Sequence, residues 1–229
     1  MRSSSEFALF KDRHHAGKQL AQRLLHYKEA KDAIIIALPR GGVVVGYDIS
    51  LALRLPLHVL ITRKLGTPSN PELAMGALAE TGYRHMNQDV IRAYGVSKAD
   101  LEEEIRRQQS EIDRRVRRYR EGRTLPSLKG QTVILVDDGI ATGATFFASL
   151  GAILKAETAR IVAAVPVAPP RVVAELNSLV DEIVVLHISE WFFGIGQFYE
   201  QFLQVEDDEV ITCLERAWAV LSPKAEVTE

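Results

Sequence analysis

Asp137 and Asp138 stand together at the end of an apolar run, and Gly139-Ile140-Ala141-Thr142-Gly143-Ala144-Thr145 follows them. Two acids before a stretch of small residues and hydroxyls suit a sugar phosphate. Small side chains let backbone N–H groups approach a phosphate closely, and a helix N-terminus behind them adds a favourable dipole. The hydroxyls of Thr142 and Thr145 can donate two further hydrogen bonds to phosphate oxygens. The carboxylates accept hydrogen bonds and so match vicinal ribose hydroxyls, directly or through a metal-bound water. The spacing is neither that of a P-loop, which needs a lysine before its Ser/Thr, nor that of the dinucleotide fingerprint.

Two shorter basic signals precede it. Pro39-Arg40-Gly41-Gly42 closes another apolar run. Its glycines permit unusual backbone geometry, so successive N–H groups could converge on an anion, with Arg40 adding positive charge. Alone, such a turn is an ordinary strand-to-helix connection. Arg63-Lys64 closes a further run, and basic residues at such a place are commonly just solvated. The Gly and Pro content of residues 65–77 suits a long loop.

The elements that must position these residues are apolar runs rich in β-branched residues: Ala33 to Leu38, Leu57 to Thr62, Thr132 to Val136, Arg160 to Val167 and Glu182 to Ile188. None alternates cleanly with polar residues, so each reads as a strand buried on both faces of a parallel sheet. Segments of helical spacing, such as Gly17, Leu20, Ala21, Leu24 and Leu25, lie between them. Strands alternating with helices predict an α/β fold with an open, doubly wound, mainly parallel five-stranded sheet. Ligands on such sheets sit beyond the carboxyl ends of the strands, where strand order reverses. The acids and both basic turns fall at such ends.

One segment breaks the rhythm. Ser97 to Arg120 reads as a single charged helix, with Ser97 as N-cap and Leu101, Ile105, Ile112, Val116 and Tyr119 forming a narrow apolar stripe. Arg106, Arg107, Arg114, Arg115, Arg117, Arg118 and Arg120 crowd its second half. A solvated face is the simplest explanation, and a lid, a homodimer contact or a nucleic-acid surface are the others. Asp12 is a reasonable N-cap for the first helix. The adjacent His14-His15 pair is not a metal motif, because neighbouring helical residues point in different directions. Glu206, Asp207, Asp208 and Glu209 read as the start of a last helix that turns Val210, Ile211 and Leu214 inward, not as metal ligands.

The 229 residues, 47% hydrophobic and 25% charged, suffice for one α/β domain over residues 1–229, with residues 97–124 as a helical insertion and 189–229 as a C-terminal cap. A net charge of −2 gives no basic field for nucleic acid or an anionic membrane. Cys213 is the sole cysteine, so no internal disulfide forms and a reducing cytosol is the default. The N-terminus lacks the apolar stretch of a signal peptide, and no run nears the roughly 18 apolar residues of a membrane span. The expectation is a soluble, cytoplasmic protein.

The run from Val133 to Thr145 resembles the phosphoribosyl pyrophosphate signature of type I phosphoribosyltransferases: a buried strand, two acids, two variable residues, then a small-Thr-Gly-small-Thr turn. Together with the opening Phe10 to Gly17, Leu-Pro-Arg-Gly-Gly and Arg-Lys-Leu-Gly-x-Pro-x-Asn-Pro-Glu, the resemblance extends over nearly the whole chain, to a bacterial subgroup of predicted phosphoribosyltransferases. It implies transfer of phosphoribose from phosphoribosyl pyrophosphate to a nitrogenous base or amine, with Mg²⁺ as cofactor and pyrophosphate released. It assigns the 5′-phosphate to Ala141, Thr142, Gly143, Ala144 and Thr145, and the ribose to Asp137 and Asp138. Pyrophosphate falls to Arg40, Gly41, Gly42, Arg63 and Lys64, with Arg40 and Lys64 counted beside the two acids as catalytic. Residues 65–77 correspond to the mobile loop that excludes water, and the C-terminal segment to the hood, where Trp191, Phe192 or Phe193 would stack on the acceptor. Enzymes of the family acting on 6-oxopurines usually carry an acid at the position of Ala141, where alanine cannot exchange a proton. Adenine enzymes are closer in this loop, but no independent adenine motif accompanies it. A different class within the same fold senses phosphoribosyl pyrophosphate or nucleotides without catalysis, and there the arginine-rich helix would contact RNA or DNA phosphates.

Overall fold

The computed structural model describes residues 8–221. Its centre is a five-stranded sheet built from β1 (Ala33–Ala37), β2 (Leu57–Val59), β6 (Thr132–Val136), β7 (Arg160–Ala168) and β8 (Glu182–Ile188), in the order β2-β1-β6-β7-β8. Every pairing is parallel. Both faces are covered, and β1 shows how. Ala33, Ile35 and Ala37 enter one core, while Ile34 and Ile36 enter the other. That is why its sequence is continuously apolar instead of alternating. Helices α1 (Arg13–Arg23), α2 (Gly41–Leu53) and α7 (Asp207–Leu221) bury against the first core, and α5 (Ala144–Leu154) and α6 (Pro170–Leu176) against the second. Strand order reverses between β1 and β6, so the crevice there is the expected binding place.

Three expectations change. Residues 65–77 are not a long loop. Strands β3 (Thr62–Thr67), β4 (Asn70–Ala79) and β5 (Arg84–Met86) form a separate antiparallel sheet. Thr67 closes the hairpin turn, since its hydroxyl donates to the Asn70 carbonyl at 2.9 Å and accepts from the Asn70 amide at 3.2 Å. Met75, Ala77, Leu78 and Ala79 are buried, and that burial outweighs the turn-forming composition. The run Leu57 to Thr62 accordingly splits, with Thr62 opening the second sheet. Strand β8 is half-exposed along most of its length because it is an edge strand.

The charged helix forms as α4 (Lys98–Arg120), preceded by α3 (Gln88–Ala93). Ser97 and Asp100 make a reciprocal capping box. Ile112 and Tyr119 are buried, and Leu101, Ile105 and Val116 pack beside them. Much of its positive charge meets acids of the same chain. Arg107 pairs with Glu104, Arg114 and Arg115 with Glu111, Arg118 with Asp207 and Asp208, and Arg120 with Glu80. Among the described residues, no helix is long and apolar enough to cross a membrane.

Candidate active site

The carboxyl ends of β1 and β6 are stitched together by the Leu38 amide, which donates to the Val136 carbonyl at 2.9 Å. Asp137 and Asp138 follow directly. The Asp138 amide donates to Asp137 Oδ1 at 2.8 Å, so the acids share a local turn. Asp138 is buried and Asp137 half-buried. Burial raises both carboxyls above the ordinary carboxylate range, and for Asp137 the charge of Asp138 adds to the rise. Arg13 opposes it most strongly at Asp138, to which its Nε donates at 2.7 Å.

The loop after the acids is fastened to β7 by the Ile140 amide, which donates to the Val167 carbonyl at 2.9 Å. It ends at Gly143, whose φ of 85° lies in the left-handed region open to glycine. Helix α5 starts there with no side-chain cap, so its first-turn N–H groups face the loop and offer an anion site. Ala141, Thr142, Ala144 and Thr145 surround that terminus, with Thr142 exposed.

Gly41 and Gly42 open α2 with ordinary helical geometry, and the unusual backbone of the turn lies just before them, in the cis peptide bond between Pro39 and Arg40. Space is what the two glycines supply. A Cβ on Gly41 would collide with the Asp138 carboxyl and with Arg13 Nε, and one on Gly42 would lie 2.9 Å from Asp137 Cα and Val136 O. The glycine turn and the acids thus need each other. Arg40 Nη1 is 3.5 Å from Glu206 and 3.8 Å from Asp207, turned toward the start of α7.

Arg63 and Lys64 separate, as neighbours on a strand must. Lys64 lines a cleft of 540 Å³ with Glu72, His85, Thr142, Ala144 and Arg171, and its Nζ donates to Glu72 at 2.9 Å (carbonyl) and 3.1 Å (carboxylate). Arg63 faces α4 instead, donating to Gln108 Oε1 at 3.0 Å, and burial pulls its guanidinium down from the usual value. Beyond the Ala141-Thr142 turn a second cleft of 520 Å³ is lined by Arg171, Glu190, Phe192 and Phe193. Phe192 packs on Phe198 at 5.0 Å between ring centroids, whereas Phe193 is 89% exposed. Trp191 is outside that lining and 76% exposed. Helix α7 packs on α2, α4 and β2, so the cap over the site is the segment before it.

A family model described as a phosphoribosyl transferase domain matches residues 10–202. The chain belongs to this phosphoribosyltransferase domain family. Two curated Mycobacterium tuberculosis relatives, from strains CDC 1551 / Oshkosh and H37Rv and both named "Putative phosphoribosyl transferase", are 44% identical to it over 209 residues. The match takes in 91% of this chain and 47% of theirs, so the chain spans about half the length of the curated relatives it matches. The crystal structure of TT1426 from Thermus thermophilus is 38% identical, with a TM-score of 0.75 over 90% of this chain and 98% of that one.

Three residues of this phosphoribosyltransferase domain escaped the sequence reading. Arg13 lies in the opening segment of the family resemblance, but nothing in its spacing points at Asp138. Tyr199, whose hydroxyl donates to the Asp138 carbonyl at 2.7 Å, ends the aromatic stretch of the cap. Arg171 donates to the Ala141 carbonyl at 3.2 Å and lines both clefts. It follows β7, the next strand along from the acids, and the rule that chemistry gathers at carboxyl ends could have found it.

Proposed function

We propose that the domain transfers 5-phosphoribose from phosphoribosyl pyrophosphate to a nitrogenous acceptor and releases pyrophosphate. The observation that carries this reading is the acid pair set one short loop before an uncapped helix N-terminus, at the strand-order reversal, with Gly41 and Gly42 packed against it. The 5′-phosphate takes the amides and hydroxyls of Ala141 through Thr145, and the ribose hydroxyls take Asp137 and Asp138. Lys64 and the Arg40-Gly41-Gly42 turn meet the pyrophosphate. Arg63 is the weakest of the assigned residues, since it faces α4.

No group of three or more His, Cys, Asp or Glu able to hold a metal occurs among the described residues. Two neighbouring acids still fit Mg²⁺, which keeps several waters and binds through one or two carboxylates plus substrate oxygens. Asp137 and Asp138 would hold it, and when bound it neutralises charge on the departing pyrophosphate. The chain's own residues mainly orient the partners and supply fixed electrostatics as the anomeric carbon gains positive character. The cleft beside Phe192 and Phe193 is the acceptor's place, where a flat ring offers stacking to a heteroaromatic base. The methyl side chain of Ala141 cannot exchange a proton and its carbonyl already accepts from Arg171, so the acceptor's proton leaves by another route.

Calorimetric titration with phosphoribosyl pyrophosphate and Mg²⁺, then a screen of bases and amines for pyrophosphate release, tests the proposal. Saturable binding with release for one acceptor supports it. Binding without release moves the domain to the sensing class. Absence of binding removes the assignment of the loop.

A further inference from the structure

Arg13 reaches the acids from outside the loops that resemblance assigns to ligand. It is the first residue of α1, directly after the N-cap Asp12, whose Oδ1 accepts from the His15 amide at 2.7 Å. Its Nε donates to Asp138 Oδ2 at 2.7 Å, and its Nη1 donates to the Leu203 carbonyl at 2.8 Å. The guanidinium carbon lies 3.8 Å from the centroid of the Phe202 ring. The side chains of Arg13 and Asp138 are 11% and 12% exposed, so the pair is shielded from competing water. Gly41 completes the arrangement, because a Cβ there would strike both Asp138 Oδ2 and Arg13 Nε.

We propose that Arg13 is a positioning residue for the ribose-binding acids, fixing the Asp138 carboxylate in one rotamer against the opening of α2. Two shielded carboxylates on adjacent residues repel, and a held cation keeps one from rotating away. Arg13 suits this task because its planar fork binds the carboxylate and a carbonyl together while its face packs on a ring. Its Nε and Nη1 are spent on Asp138 and the Leu203 carbonyl, so its influence on the ligand runs through Asp138. Tyr199 fixes the main chain of the same residue from the cap. The first helix, the cap and the acid loop are thereby joined at one side chain.

The inference rests on the ribose role proposed for the acids, and a double-mutant cycle separates the two. Affinity for phosphoribosyl pyrophosphate with Mg²⁺ is measured for the wild type, Arg13→Gln, Asp138→Asn and the combination. Arg13→Gln should weaken binding about tenfold, the scale of a lost charge-assisted hydrogen bond, and should add nothing once Asp138 is Asn. Arg13→Lys should restore part of the affinity. Losses that multiply in the combined variant, or an Arg13→Gln variant binding like wild type, would overturn the positioning role and leave the functional reading standing. If the wild type does not bind, both fall. Should Arg13→Gln fail to fold, Arg13→Lys carries the same cycle, its partial loss vanishing beside Asp138→Asn.

Discussion

The Tyr199 hydroxyl donates to the main-chain carbonyl of Asp138 at 2.7 Å, in a place where the ring is 5% exposed. Burial, and then the charges of Asp138 and Asp137, push the phenol well above its ordinary range, so it stays a neutral donor. Tyr199→Phe keeps the ring against Phe10 and Phe202 and leaves a buried carbonyl short of a partner. The expected cost is about 1–3 kcal/mol in denaturant unfolding. Affinity for phosphoribosyl pyrophosphate should fall as well, since the acid's backbone is freed. An unchanged unfolding midpoint would mean that the bond contributes nothing.

Gly143 and Gly122 have the same φ of 85°, which makes them a matched pair. Nothing lies within 4 Å of a Cβ on Gly122, whereas one on Gly143 would run into the Phe147 ring. Both substitutions to alanine should cost about 1–2 kcal/mol of left-handed strain. Gly143→Ala should in addition reduce affinity for ribose 5-phosphate, because Phe147 must shift at the first turn of α5. Equal affinity in the two variants would argue that this helix terminus does not hold the phosphate.

The sheet was legible because both cores demand apolar residues on either face of β1, β6 and β7, a pattern that survives without any contact map. The acid loop was legible as a local pattern for another reason: its two acids, small residues and hydroxyls lie consecutively in sequence. What stayed hidden depends on distance along the chain. Arg13 and Asp138 are 125 residues apart, and no local pattern couples them. The hairpin from Thr62 to Ala79 was misread because its two glycines and two prolines spoke for a loop, while burial of Leu65, Met75 and Ala77 decided the outcome. The division of Arg63 from Lys64 needed only that misread strand, since alternation then follows.

Arg120 anchors the end of α4 to the body of the protein. Its Nη2 donates to the Val59 carbonyl at 2.8 Å and pairs with Glu80, both side chains being nearly buried. Glu80 Oε2 and Arg120 Nε are buried without a hydrogen-bond partner, so the pair is incompletely satisfied. Arg120→Met alone should cost about 3–5 kcal/mol, because it strands a buried carboxylate. Adding Glu80→Met should recover most of that loss, as apolar replacement of a whole buried pair often does. Guanidinium chloride unfolding of the two variants decides it, and a double variant no better than the single would show that the charge was not the cost.

His58 ties stability to acidity. Burial first, then the cations Arg120 and Arg123, push its imidazole down from 6.5 to about 4. An unfolded chain takes up this proton near pH 6.5, while the folded one resists it until about 4. Between those values the unfolded state binds more protons, so stability falls as the pH drops. The full shift is worth at most about 3 kcal/mol, complete only below the folded value. Carboxyls raised by burial, among them Asp48 and Glu80, act with the opposite sign, so only a difference isolates the histidine. His58→Gln should unfold with a shallower loss between pH 6.5 and 4 than the wild type, measured by denaturant midpoints at half-unit steps. Parallel curves would show that His58 protonates inside the folded protein and that its surroundings do not hold the proton off.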